Sequence, residues 1–285
     1  AKLPDRKYDF PPESAEAWEE AKLIAREETR RALGIDGLEK TPLGAEVTGV
    51  EDLGDFTIEK IRFESRPGFY VTGNIWKPKG TQERLPALLW IHGHSDDAKA
   101  GYRWPQEVLV RKGIMVFAID GVGFGERERL NHYTNAACWT VGSCTHSFQM
   151  WDNIRAIDYL VSRPDVDASR IGVAGRSGGG TQTMYMIGVE PRIRAAVVMA
   201  GMSTLQQAYI QRAGGHCICN YTPGTLRHLN SVDMIAAGAP EILILVIQGN
   251  LDPLFPAYGT KETASAARDV FKLYGKGGRL MEFYD

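Results

Sequence analysis

Apolar positions recur at helical spacing early in the chain. Over residues 14–33, Trp18, Ala21, Ile24 and Ala25 share one face, with Ser14 as N-cap and Gly34 as a stop. The other face is densely charged, with Glu27 four residues before Arg31, which predicts a solvated surface. From residue 46 the period changes to two. Runs at 46–50, 56–63 and 70–76, with turns at Asp52-Leu53-Gly54-Asp55 and Arg66-Pro67-Gly68, predict a β-meander.

After Pro86 the texture changes again. Near-continuous apolar runs at 87–91, 114–119, 171–174, 195–199 and 242–247, and a last strand at 279–284, alternate with helices starting near Trp104, Phe148, Gly178 and Thr260. Strands apolar on both faces predict a mostly parallel central sheet covered by helices on both sides, an α/β class. Met150, Ile154, Ile157, Leu160 and Val161 make a core stripe on the helix over 148–161. Two long segments, 121–145 and 201–240, follow strands, where functional loops of α/β sheets gather. The second carries Tyr209, His216, Tyr221 and Pro223, which suits a cap lining a pocket.

Composition narrows the classes. With 285 residues, 44% hydrophobic and 24% charged, one domain spanning 1–285 accounts for the chain, with a helical extension at 1–45 and a cap-like insertion at 201–240. A formal charge of −2 gives no reason to expect a nucleic-acid partner. No apolar run approaches the roughly 18 residues of a membrane span, so no membrane partner is expected. The chain opens Ala1-Lys2-Leu3-Pro4 without a signal-type apolar segment, and secreted, periplasmic and cytoplasmic locations all stay open.

Cys138, Cys144, Cys217 and Cys219 do not form a disulfide framework for a chain of this size. His216-Cys217-Ile218-Cys219, with His228 beyond it, fits no common zinc spacing. Buried thiols or one disulfide are expected there instead. A metal at His92 and His94 with Asp96 and Asp97 is likewise set aside, so no metal or cofactor is expected.

Gly175-Arg176-Ser177-Gly178-Gly179 carries the chemistry. A G-x-S-x-G run between a strand and a helix predicts a sharp turn that exposes the serine hydroxyl to a base. The Gly178 amide, at the start of a helix, would face developing negative charge.

These residues resemble the α/β-hydrolase superfamily, in particular its acetyl xylan esterase-like and dienelactone hydrolase-like branch. The resemblance runs from about residue 58 to 285. It rests on Ile91-His92-Gly93-His94, on Asp120-Gly121-Val122-Gly123-Phe124-Gly125, on the elbow itself, and on Gly249-Asn250-Leu251-Asp252-Pro253. It implies an α/β-hydrolase fold with a cap segment after the sixth strand. The implied enzyme is a serine carboxylic-ester hydrolase working through an acyl-enzyme on short acyl esters of carbohydrates or plant phenolics. Ser177 would be the nucleophile and Asp252 the triad acid, with the backbone N–H groups of His94 and Gly178 forming the oxyanion hole. Trp139, His216 and Tyr221 are candidate substrate-pocket residues, and Phe124 and Tyr209 could also stack on a ring. An oligopeptidase-like peptidase and a non-catalytic ligand-binding hydrolase fold are the alternatives.

The chain departs from the family pattern in one respect. The family's catalytic histidine lies in the loop after the last strand, whereas all six histidines here precede Asp252. The expectation is that the base lies beyond Asp285, with His216 as the substitute otherwise.

Overall fold

The first helix forms where its caps dictate. In a computed structural model, which describes residues 3–80, 83–133, 135–210 and 215–285, α1 (Ala15–Ala32) follows Ser14, whose Oγ accepts the Ala17 amide at 3.2 Å. Trp18, Ala21 and Ala25 are buried as expected, while Ile24 is half-buried. The charged face is not wholly solvated. Lys22 and Glu28 are buried, because Lys22 Nζ donates to the Ala239 carbonyl at 3.0 Å and Glu28 accepts from Lys7 at 2.7 Å. Glu27 and Arg31 pair at 2.5 Å, as their spacing predicts.

The meander consists of β1 (Glu46–Asp52), β2 (Phe56–Arg66) and β3 (Phe69–Pro78). The buried runs become β4 (Leu85–Ile91), β5 (Met115–Ile119), β6 (Val166–Arg176), β7 (Ile193–Met199), β8 (Leu243–Gln248) and β9 (Leu280–Tyr284). Together they form one sheet in the order β1-β2-β3-β5-β4-β6-β7-β8-β9. The meander joins β5 antiparallel, and every pair from β5 through β9 is parallel. The remaining helices are α2 (Arg103–Arg111), α3 (Asn135–Trp139), α4 (Thr145–Ser162), α5 (Gly178–Val189), α6 (Thr225–His228), α7 (Ser231–Ala236) and α8 (Ala257–Leu273). Residues 201–240 follow β7, the seventh strand in chain order, and contain α6 and α7.

Helices cover both faces, as the apolar runs require. Trp76, Trp90, Val116 and Ala174 share one core with Val110 of α2. On the opposite face Leu89, Phe117 and Val173 pack with Trp18 of α1, Ile157 of α4, Ile187 of α5 and Phe271 of α8. Beyond α2, over β8 and β9, Leu243, Met281 and Phe283 are exposed. Among the described residues no helix is long and apolar enough to cross a membrane. Because the core strands are parallel, the segments following β4, β5, β6, β7 and β8 all leave at one edge, where ligands of open α/β sheets bind.

Candidate active site

Ser177 sits between β6 and α5 with φ 56 and ψ −122, conformational space that residues with a Cβ seldom enter. The turn is held on both sides, since Ser177 N–H donates to Met199 O at 2.9 Å and Ser177 O accepts the Thr181 amide at 3.0 Å. Glycine makes the crossing with the β4 loop feasible. A Cβ on Gly179 would lie 2.1 Å from Ile91 O, and one on Gly93 would lie 2.7 Å from Arg176 O. The backbone after β4 therefore runs directly against the elbow. Ser177 itself is half-buried, and its side chain makes no capping bond to α5.

Gly178 is the first residue of α5, so its N–H belongs to the unpaired first turn. His94 lies beside it, its ring Cε1 3.1 Å from where a Gly178 Cβ would stand. The His94 ring thus packs against the residue that carries the other candidate oxyanion donor. His92 points the other way and is fully engaged. Its Nδ1 lies 2.6 Å from Gly93 O and its Nε2 accepts the Gly121 amide at 2.8 Å, which fixes the proton on Nδ1. Burial holds its pKa below the ordinary histidine value. His92 is a strut between the loops after β4 and β5. Asp120, also fully buried, accepts from Thr72 Oγ1 at 2.7 Å and pairs with Lys99, fastening the same two loops.

Asp252 lies in the turn after β8. Its Oδ1 accepts the amides of Leu254 and Phe255 at 2.8 and 2.9 Å, and its Oδ2 accepts from Gln248 Nε2 at 3.0 Å. It is a turn-former with acceptor capacity left on Oδ2. β9 brings the chain to the same place, for Asn250 N–H donates to Asp285 O at 2.7 Å and Asp285 N–H to Gln248 O at 3.3 Å. His216 packs edge-on against Tyr209 and Phe255, its Nε2 3.0 Å from Leu254 O. Burial lowers its pKa, against the opposing pull of the Leu254 carbonyl and Asp252.

The three candidate pocket residues separate. Trp139 and Tyr221 line one cavity with Gly142, Ser143, Thr222 and Pro223. His216 is not part of that lining. Phe124 is buried among the rings of His92, His94 and His132, and Tyr209 is buried against Tyr221 and His216, so both serve packing rather than an open surface.

A grouping that the sequence reading did not assemble stands beside the elbow. His94 Nε2 lies 3.0 Å from His132 Nε2, Cys219 Sγ 3.3 Å from His94 Nε2, and Cys217 Sγ 3.3 Å from His132 Nε2. The four ligand atoms fall within 4.8 Å of one another. All four cysteines are free thiols, the first of the two expected alternatives, with Cys144 and Cys219 buried and Cys138 and Cys217 half-buried. The two metal sets dismissed from the sequence each contributed part of this cluster: His94 from one, Cys217 and Cys219 from the other. Spacing missed it because the ligands come from three separate loops. The one local signal was the glycine-rich turn after Asp120, where Gly123 at φ 79 lets the backbone fold onto His132. A hydrogen bond from Cys219, with the two imidazoles, holds the Cys217 thiol well below its usual range.

The parallel sheet, the strand–serine–helix turn and the loops gathered at one edge define an α/β-hydrolase fold. Within that class, the model of the prolyl oligopeptidase family matches residues 100–272, and the chain belongs to that family. Among curated relatives, YtaP of Bacillus subtilis (strain 168) is 26% identical over 86% of this chain and 86% of its own length. Acetyl esterase Axe7A of Xylanibacter ruminicola is 27% identical over 64% of this chain, which spans 45% of the length of that protein. Among solved structures, a glucuronoyl esterase from Solibacter usitatus superposes with a TM-score of 0.72 at 17% identity, covering 96% of this chain and 86% of that one.

Proposed function

We propose that the chain is a serine carboxylic-ester hydrolase acting through an acyl-enzyme on short acyl esters of carbohydrates or plant phenolics. The backbone of Ser177 carries the reading: a serine held at φ 56 between a buried strand and a helix N-terminus has its hydroxyl presented rather than packed. Ser177 attacks the ester carbonyl, and the N–H groups of Gly178 and His94 receive the oxyanion. Asp252 orients the imidazole that takes the serine proton and then gives it to the leaving alcohol. β9 brings the main chain to the Asp252 turn, which is where such an imidazole would be held. The names of Axe7A and of the Solibacter enzyme support an ester as substrate, and the aromatic walls of the Trp139–Tyr221 cavity suit a sugar or aryl ring.

The family match favours one second reading, a peptidase. Protein carrying its natural C-terminal sequence is compared on acetylated xylan, methyl ferulate and a prolyl peptide amide, with Ser177→Ala as control. The account expects both esters to be cleaved faster than the amide, with Ser177→Ala slower by several orders of magnitude. Faster amide cleavage would make the protein a peptidase. Equal turnover by the wild type and Ser177→Ala would remove the serine from the mechanism.

A further inference from the structure

We infer that His94, His132, Cys217 and Cys219 bind a borderline-soft divalent cation, zinc, which ties the loops after β4 and β5 to the segment 215–223 beside Ser177. The spacing of the donors carries the argument. A tetrahedron with Zn–N of about 2.0–2.1 Å and Zn–S of about 2.3 Å has ligand–ligand edges of roughly 3.3–3.8 Å. The cluster shows 3.0 Å between the imidazole nitrogens and 3.3 Å for each sulfur–nitrogen contact. It is already close to the size a tetrahedral ion requires, and two thiolates with two imidazoles are a donor set that selects zinc over magnesium or calcium.

The hydrogen bonding of His132 points the same way. Its Nδ1 lies 2.8 Å from Val122 O, so Nδ1 carries the proton and Nε2 presents a bare lone pair to the cluster. A backbone carbonyl on the far nitrogen is the usual way a metal-ligating histidine is oriented. His132 and Cys219 are buried, whereas His94 is exposed, so the centre opens to solvent on the His94 side. On binding, the two cysteine thiols release their protons to solvent as thiolates, and the imidazoles bind neutral. Four protein ligands close the coordination shell, which makes the ion a structural tie. What it holds is specific: His94 lies against Gly178, and Cys219 adjoins Asn220, whose side chain reaches the same glycine.

The test uses tag-free full-length protein purified under reducing conditions, with metal content measured by mass spectrometry and cobalt(II) titrated into chelator-stripped protein. The wild type should hold one zinc per chain, and its cobalt form should show tetrahedral visible bands with thiolate-to-metal charge transfer. Cys217→Ser, Cys219→Ser and His132→Ala should lose both signals, and Cys138→Ser and His228→Ala should keep them. In case the ligand variants fold poorly, zinc returned to stripped wild type should raise its Tm by about 4–5 °C at a hundredfold excess over Kd, and magnesium should not. Folded wild type that retains no zinc, or a cobalt spectrum without thiolate charge transfer, would overturn the site. Recovery of a Cys217–Cys219 disulfide without metal would overturn it as well. None of these readouts depends on ester turnover, so the site and the proposed function can fail separately.

Discussion

Replacing Ser177 by glycine should make the protein more stable while abolishing its reaction. At φ 56 and ψ −122 a residue with a Cβ is strained by about 1–3 kcal/mol. Ser177→Ala keeps the Cβ and therefore the strain. Ser177→Gly removes it, against roughly 0.5–1 kcal/mol of additional chain entropy lost on folding. Both variants delete the same hydroxyl, which makes no capping bond to α5, so comparing them isolates the backbone term. The glycine variant should exceed the alanine variant by about 1 kcal/mol, a Tm difference of roughly 1.5–2 °C for a chain of 285 residues. Thermal melts and urea midpoints on the two proteins, purified identically, measure it. If glycine melts at or below alanine, the elbow is unstrained and the step from backbone conformation to an exposed nucleophile fails.

Other consequences are equally measurable. Asp252→Asn keeps an oxygen for the amides of Leu254 and Phe255 but cannot stabilise an imidazolium, so kcat should fall about 10⁴-fold, while stability falls only by about 1 kcal/mol for the lost bond from Gln248 Nε2. A large fall in Tm with kcat retained would leave Asp252 as a turn-former alone. His146 is buried against Tyr185, and burial pushes its pKa down to about 3. The unfolded chain takes up this proton near pH 6.5 and the folded chain does not, so stability is complete above that pH and is lost as pH falls toward 3. Between pH 7 and pH 5 this costs about 2 kcal/mol, and urea unfolding of His146→Phe should lack that increment. Gly179→Ala places a Cβ 2.1 Å from Ile91 O, and should cost about 3 kcal/mol or prevent folding. A normal urea midpoint in that variant would show that the elbow does not press on β4.

Local pattern made the scaffold legible. The parallel strands appeared as apolar runs because both faces are covered, and α1 was bounded by Ser14 and Gly34 because capping is a local matter. β6 was underestimated at its start, since Asp167, Ala168, Ser169 and Arg170 lie in the irregularity between the Leu85–Val166 and Ala87–Ile171 pairs and leave no apolar run to read. The elbow was legible because its glycines answer contacts within a few residues or with one crossing loop. The cluster of His94, His132, Cys217 and Cys219 was not, because three loops distant in sequence bring it together and no spacing within any of them encodes the meeting. Buried Lys22 and Glu28 escaped for a similar reason: their partners, the Ala239 carbonyl and Lys7, lie on other segments.

The central claim is that Ser177 is an activated nucleophile. Protein carrying its natural C-terminal sequence is treated with a fluorophosphonate, digested, and searched by mass spectrometry for the adduct. The account predicts stoichiometric modification of the peptide containing Gly175-Arg176-Ser177-Gly178-Gly179, located on Ser177, and none in Ser177→Ala. Correctly folded protein that takes up no label at Ser177 would contradict it.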